Sequence, residues 1–93
     1  MIRNFKSKEA EMIFNRTFSH RLPHDIQKAA FRKLRMLSRA VTLNDLRVPP
    51  ANRLEALHGN RQGQHSIRIN DKWRVCFEWR TGDAYNVEIV DYH

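Results

Sequence analysis

One cysteine, three glycines and three prolines are all that the 93-residue chain has of these types. The single thiol, Cys76, excludes an intrachain disulfide and suits a reducing compartment. No stretch approaches the ~18 consecutive apolar residues of a membrane helix. The opening "MIRNFKSKEAE" is charged throughout and lacks the apolar core of a signal peptide. A soluble cytoplasmic protein with no membrane partner is therefore expected. The five histidines have no HExxH or CxxC context, and Pro23 between His20 and His24 spoils a shared helical face. No metal site and no cofactor are expected. A Gly-rich phosphate loop and a GxSxG motif are missing too. Acidic side chains are scarce as well: ten Asp and Glu against 17 Lys and Arg leave a charge of +7. With a pI near 10.3, so small a body calls for an anionic partner, whether nucleic acid, an acidic protein or both.

The first half carries helical periodicity. Ser7 is placed to cap a helix, with Glu9 and Glu11 in its first turn. Ala10, Ile13, Phe14 and Phe18 follow on one face at three- and four-residue spacing. Pro23 breaks the phase and opens a second helix, whose Ile26, Ala30, Leu34, Leu37 and Val41 form a narrow apolar stripe. A short joint between two such helices predicts an antiparallel hairpin. Ahead of them, "MIRNF" is a candidate first strand. In the middle, Pro49-Pro50 forbids a continuing helix, Gly59 and Gly63 mark a loop, and "RLEAL" reads as a short edge strand.

The last third alternates with period two. His65, Ile67 and Ile69 form one run, Trp73, Val75, Phe77 and Trp79 the next. Tyr85, Val87 and Ile89 form the last, joined to the second through Thr81-Gly82-Asp83. No repeat or composition shift marks a boundary. Residues 1–93 are expected to form one α+β domain, an N-terminal helical hairpin packed on one face of a small antiparallel β-sheet.

Pattern also sets the turn between the first two of these strands. A two-residue loop at Asn70-Asp71 would pair Ile69 with Lys72 and Ile67 with Arg74, mixing apolar and charged groups on one face. A three-residue loop, Asn70-Asp71-Lys72, pairs Ile69 with Trp73 and Ile67 with Val75, and one apolar face results. The longer loop puts Arg68 directly across from Arg74. Like charges opposed across strands destabilise a sheet. An anion bridging the guanidiniums removes the repulsion, and phosphate suits their bidentate geometry. Glu78 and Glu88, expected on the same face, are the alternative neutralising groups. With Tyr85, Val87 and Ile89 turned to the helices, Glu88 and Tyr92 face the arginines. The closing Asp91, Tyr92 and His93 are thus delivered to the basic patch.

RNA carries its own nucleophile, the ribose 2′-hydroxyl. Cleavage without metal needs a base for that hydroxyl, cations for the crowded phosphorane and an acid for the leaving 5′-oxygen. Histidine as a residue type titrates near neutrality, so His93 is a candidate base or acid. Paired arginines suit the developing phosphate charge. Tyr92 can stack a base or orient the phosphate, and Asp91 can orient His93. DNA lacks the 2′-hydroxyl, so this set favours RNA. The opposite reading is a strand end whose polar groups face solvent. Cys76 alternates onto the arginine side and reads as a packed thiol rather than a nucleophile. Lys28, Arg32, Arg35 and Arg39 recur opposite the apolar stripe of the second helix. Like charges at i and i+4 cost about 0.2–0.5 kcal/mol per pair, so this is either a solvated face or one that tracks phosphates of a large RNA.

Taken together, "LEALHGNRQGQHSIRINDKWRVCFEW" and the closing "NVEIVDYH" resemble the HigB-type toxins of the RelE/ParE superfamily. The shared frame is L-x-x-L-x-G-x-R-x-G-x-x-S-I, then W-R, then D-Y-H, and "MIRNFKSKEAEMIF" is similar to the family's start. The resemblance implies a RelE-like, microbial-RNase fold and a toxin neutralised by a HigA-type helix-turn-helix antitoxin. It implies metal-independent cutting of mRNA at the decoding site of the ribosome. Operator DNA would be met only through the antitoxin. By the same resemblance Arg74 binds phosphate, and Asp91, Tyr92 and His93 contribute to mRNA binding and cleavage. The family often carries a histidine in the first short strand and a lysine three positions later; here these are Glu55 and His58. Three readings follow: His58 takes over a catalytic or phosphate-contacting role, Glu55 acts as base, or activity is weaker. Arg61, Arg68 and Lys72 are supporting phosphate contacts by the basic-patch argument rather than by the motif.

Two other function classes share these features. One is a non-catalytic ParE-like inhibitor of DNA gyrase, since that branch has the same fold. The other is a weakly active toxin acting mainly as partner of its antitoxin in transcriptional autoregulation. The arginine-flanked closing triplet favours the nuclease, while Glu55 in place of histidine favours the last.

Overall fold

The computed structural model describes residues 1–91. Tyr92 and His93, both expected at the site, lie outside the described residues. Helix α1 (Lys8–Phe14) begins where expected: Ser7 is extended, and its Oγ accepts from the Ala10 N–H at 3.2 Å. It ends sooner than the apolar spacing implies. Arg16 adopts a left-handed φ of 62°, and Phe18 leaves the helix, becomes exposed and packs edge-on against His20. Helix α2 (His24–Arg39) follows Pro23 and buries Ile26, Ala30, Leu34 and Leu37. Val41, expected to extend that stripe, lies beyond the helix end and is exposed. Gln27 ties the connection to α2 by donating to the Ser19 and Leu22 carbonyls and accepting from the Ser19 N–H.

Strands β1 (Glu55–Ala56), β2 (Gln64–Arg68), β3 (Trp73–Arg80) and β4 (Asp83–Asp91) form one antiparallel sheet in chain order. "RLEAL" thus supplies a two-residue edge strand. "MIRNF" supplies only isolated parallel bridges, from Ile2 to Ala84 and from Phe5 to Val87, along the outer edge of β4. The helices cover one sheet face, where Ile67, Ile69, Val75, Phe77, Ala84 and Val87 join Ile26, Leu34 and Leu37 in a single core. This is the expected α+β architecture. No helix of the described residues is long and apolar enough to cross a membrane.

The β2–β3 register is the expected one, with Ile67 opposite Val75 and Arg68 opposite Arg74. Asn70 Oδ1 closes the three-residue turn by accepting from the N–H groups of Lys72 and Trp73.

The β3–β4 hairpin departs from expectation twice. Its joint is two residues, Thr81 and Gly82, at φ of 52° and 81°, and Asp83 already pairs with Arg80. Positive φ at both positions matches the right-handed strand twist of a tight hairpin. Further along, Cys76 pairs with Glu88 but Glu78 pairs with Tyr85. Asn86 and Val87 therefore oppose Phe77 alone, which is a β-bulge. Asn86, at φ 52°, donates from its backbone to Asn4 Oδ1 and from Nδ2 to Glu78 Oε2. The extra residue puts Tyr85 on the other side of the sheet from Val87. Tyr85 turns away from the helices, and the Arg80 guanidinium lies 4.1 Å from its ring centroid.

Candidate functional site

The sheet face turned away from the helices carries polar side chains in rows. One row runs Glu55, Ser66, Cys76, Glu88 from β1 to β4; the next holds Arg68, Arg74 and Val90. Ser66 and Cys76 are fully buried. Burial pushes the Cys76 thiol pKa up, so it stays a packed neutral thiol.

Arg74 is buried and anchored on several sides. Its Nε donates to Ser66 Oγ at 2.8 Å, and Nη2 donates to the Arg53 carbonyl at 2.6 Å. The same Nη2 lies 3.3 Å from Glu55 Oε1. Arg53 presents its carbonyl from the end of a short helical turn, Pro50–Asn52, at a left-handed φ of 44°. Sequence reasoning singles out neither Arg53 nor Ser66. A carbonyl has no side-chain signature to find. Ser66 does have one: the register that pairs Arg68 with Arg74 sets it on the same face, one row away.

The arginine pair is flanked by carboxylates, but different ones from those expected. Arg68 Nη2 is ion-paired with Asp71 in the following turn, and Arg74 with Glu55. Glu88 instead takes Arg61 Nη1 at 2.9 Å and Lys6 Nζ at 3.6 Å, and Glu78 takes Arg80 at 3.7 Å. Arg61 also donates to Gln64 Oε1 at 3.1 Å. It closes the short turn Gly59–Arg61, which the exposed His58 precedes. Glu55, His58 and Arg61 thus come from one edge segment running into the strand beside that of Arg74.

The other expected residues are more dispersed. Val90, not Asp91, pairs with Arg74; Asp91 pairs with Trp73 and so belongs to the opposite side of the sheet by register. Lys72 is exposed in the β2–β3 turn. Arg32, Arg35 and Arg39 lie on the helical layer, where with Arg16, Phe31, Met36, Ala40 and Asp45 they line an open groove of about 580 Å³. The Arg16 and Arg35 guanidiniums sit 5.1 and 6.0 Å from the Phe31 ring centroid. Lys33, also on α2, donates to Asn52 Oδ1. Burial, then Arg32 and Arg68, holds its pKa down.

What Arg74 offers chemically is a guanidinium already oriented and largely stripped of water. Such a group stabilises charge developing on a phosphate without reorganising at the moment of reaction. A second arginine, a carboxylate and an imidazole are carried by the neighbouring segments.

A family model described as the RelE-like toxin HigB of type II toxin-antitoxin systems matches residues 3–93. The chain is 45% identical over 87 residues to Toxin HigB-1 of Vibrio cholerae, with 92% of each chain covered. It is 29% identical over 93 residues to Endoribonuclease HigB of Proteus vulgaris, spanning both chains completely.

Proposed function

Because the chain belongs to the HigB-like family of RelE-like toxins, we propose that it is an endoribonuclease cutting mRNA on the ribosome, without metal, and restrained by a HigA-type antitoxin. The observation that carries this reading is the anchored Arg74. Its Ser66 and Arg53 contacts fix a guanidinium on an otherwise polar sheet face, beside Arg68 and the edge segment bearing Arg61 and His58.

In this reading a base takes the proton of the ribose 2′-hydroxyl, and its oxygen attacks the adjacent phosphorus. The bond to the 5′-oxygen breaks as an acid protonates it, leaving a 2′,3′-cyclic phosphate. Arg74 holds the non-bridging oxygens through the crowded transition state, with Arg68, Arg61 and Lys72 lowering the field for neighbouring phosphates. His58 and the closing Tyr92 and His93 supply the proton-transfer and orienting groups, while Asp91, opposite Trp73, belongs to the other side of the sheet. Arg32, Arg35 and Arg39, on a separate surface, suit the backbone of a large RNA such as that of the ribosome.

The test programmes ribosomes with a defined mRNA, adds the purified chain and maps 5′ ends by primer extension. Wild type is compared with Arg74→Ala and with a chain lacking Tyr92 and His93. Cuts at A-site codons, lost in both variants, are expected. Intact mRNA with the wild type would overturn the proposal in favour of a non-catalytic inhibitor or an autoregulatory partner.

A further inference from the structure

Glu55 stands where an incoming anion would bind Arg74. We infer that the Glu55 carboxylate is the resting occupant of the phosphate seat on Arg74, displaced when substrate enters, and that it sets affinity rather than moving a proton. This rests on the reading of Arg74 as the phosphate-binding residue.

The two anions compete for one edge. A carboxylate and a phosphodiester both offer a pair of oxygens to the fork of a guanidinium. With Glu55 Oε1 3.3 Å from Nη2, that edge of Arg74 is in use. A group filling the seat must leave before a phosphate arrives, so it is poorly placed to act on that phosphate's neighbouring hydroxyl.

The two partners are held very differently. The Arg74 side chain is 9% exposed and pinned by Ser66 and the Arg53 carbonyl, whereas the Glu55 side chain is 50% exposed on a two-residue edge strand. When the pair opens, the arginine stays and the carboxylate swings into water. Glu55 and Ser66 are register partners, so two neighbouring positions grip the guanidinium, one from within the sheet and one from its rim. The inner acceptor orients; the outer one fills.

The same arrangement recurs next door. Arg68 is paired with Asp71, whose side chain is 98% exposed. Both opposed arginines are therefore offset in the resting state by carboxylates that solvent can take back. Exchanging a carboxylate for a phosphate keeps the local charge balanced, which a bare arginine pair would not.

The experiment titrates inorganic phosphate into the full chain at fixed ionic strength, following backbone amide resonances of β2. Wild type, Glu55→Gln and Arg74→Lys are compared; the last keeps the charge and loses the fork. Glu55→Gln should bind phosphate about two- to fivefold more tightly than wild type, with kcat/KM on programmed ribosomes rising in parallel. Equal affinity in wild type and Glu55→Gln, with Arg74→Lys weaker than both, overturns the inference and leaves Arg74 as the phosphate residue. Equal affinity in all three overturns both readings. A fall in kcat/KM for Glu55→Gln, with loss of the acidic limb of its pH profile, overturns the inference in favour of proton transfer.

Discussion

Arg68 and Arg74 face each other across β2 and β3, and each is paired with a carboxylate from a separate, solvent-facing segment. Asp71 comes from the turn that fixes the strand register; Glu55 comes from the edge strand. The repulsion is thus offset locally and reversibly.

Removing one of these carboxylates should expose the repulsion. Asp71→Asn is expected to lower Tm by about 1–3 °C at low ionic strength, and the difference should shrink at molar salt. Thermal unfolding of both proteins across a salt series measures it. A deficit that does not respond to salt would mean the turn, not the charge, is at fault.

Capping at the start of α1 is separable from charge. Ser7→Ala removes the acceptor for the Ala10 N–H and should cost about 1 kcal/mol in chemical denaturation. Ser7→Asp, which restores an acceptor near the helix N-terminus, should recover most of it.

The bulge makes a sharper comparison. Asn86→Gly and Asn86→Ala both lose the side-chain contacts to Asn4 and Glu78. Only alanine also meets the steric cost of φ 52°. The alanine variant should therefore be the less stable by about 1 kcal/mol. Equal loss in the two would show that the backbone conformation is not what asparagine supplies.

His65 gives the fold a pH dependence. Its ring stacks on Phe77 with Nδ1 buried and without a hydrogen-bond partner among the described residues, and burial lowers its pKa from 6.5. The unfolded chain then binds the proton at higher pH than the folded one. The associated stability is present above the unfolded pKa and is lost as pH falls through about 6.5 toward the folded value. Between about pH 7.5 and pH 5.5, wild type should lose more Tm than His65→Phe. Parallel losses would remove His65 as the cause.

Much of this was legible because hydrophobic alternation constrains register. Only one turn length placed Ile67 opposite Val75, and the Arg68–Arg74 pair followed from it. The same alternation failed at Tyr85. The run Tyr85, Val87, Ile89 looks continuous, yet Asn86 adds a residue that has no counterpart on β3 and reverses the face. Thr81-Gly82 and Asn86 are the residue types that tolerate positive φ, and they were the available signal. Phe18 and Val41 fitted the helical spacing but fall beyond the helix ends, since spacing alone does not say where a helix stops. At the candidate site, charged residues could be read from sequence while their partners could not. Which carboxylate meets Arg74 depends on where an edge strand docks, and the Arg53 carbonyl belongs to the backbone.

The bridges between the first residues and β4 have a consequence in time. Ala84 N–H donates to the Met1 carbonyl, Arg3 N–H to Ala84, Val87 N–H to Asn4 and Lys6 N–H to Val87, while the Met1 amino group lies 3.4 Å from Asp83. Translation makes residues 1–6 more than seventy peptide bonds before residues 83–91. The earlier segment must wait for the later one, and Ala84 and Val87 join the core only then. A copy of the chain without residues 83–91 lacks both the edge that residues 1–6 bind and two of the side chains that close the core, so neither end of the fold is finished without the other.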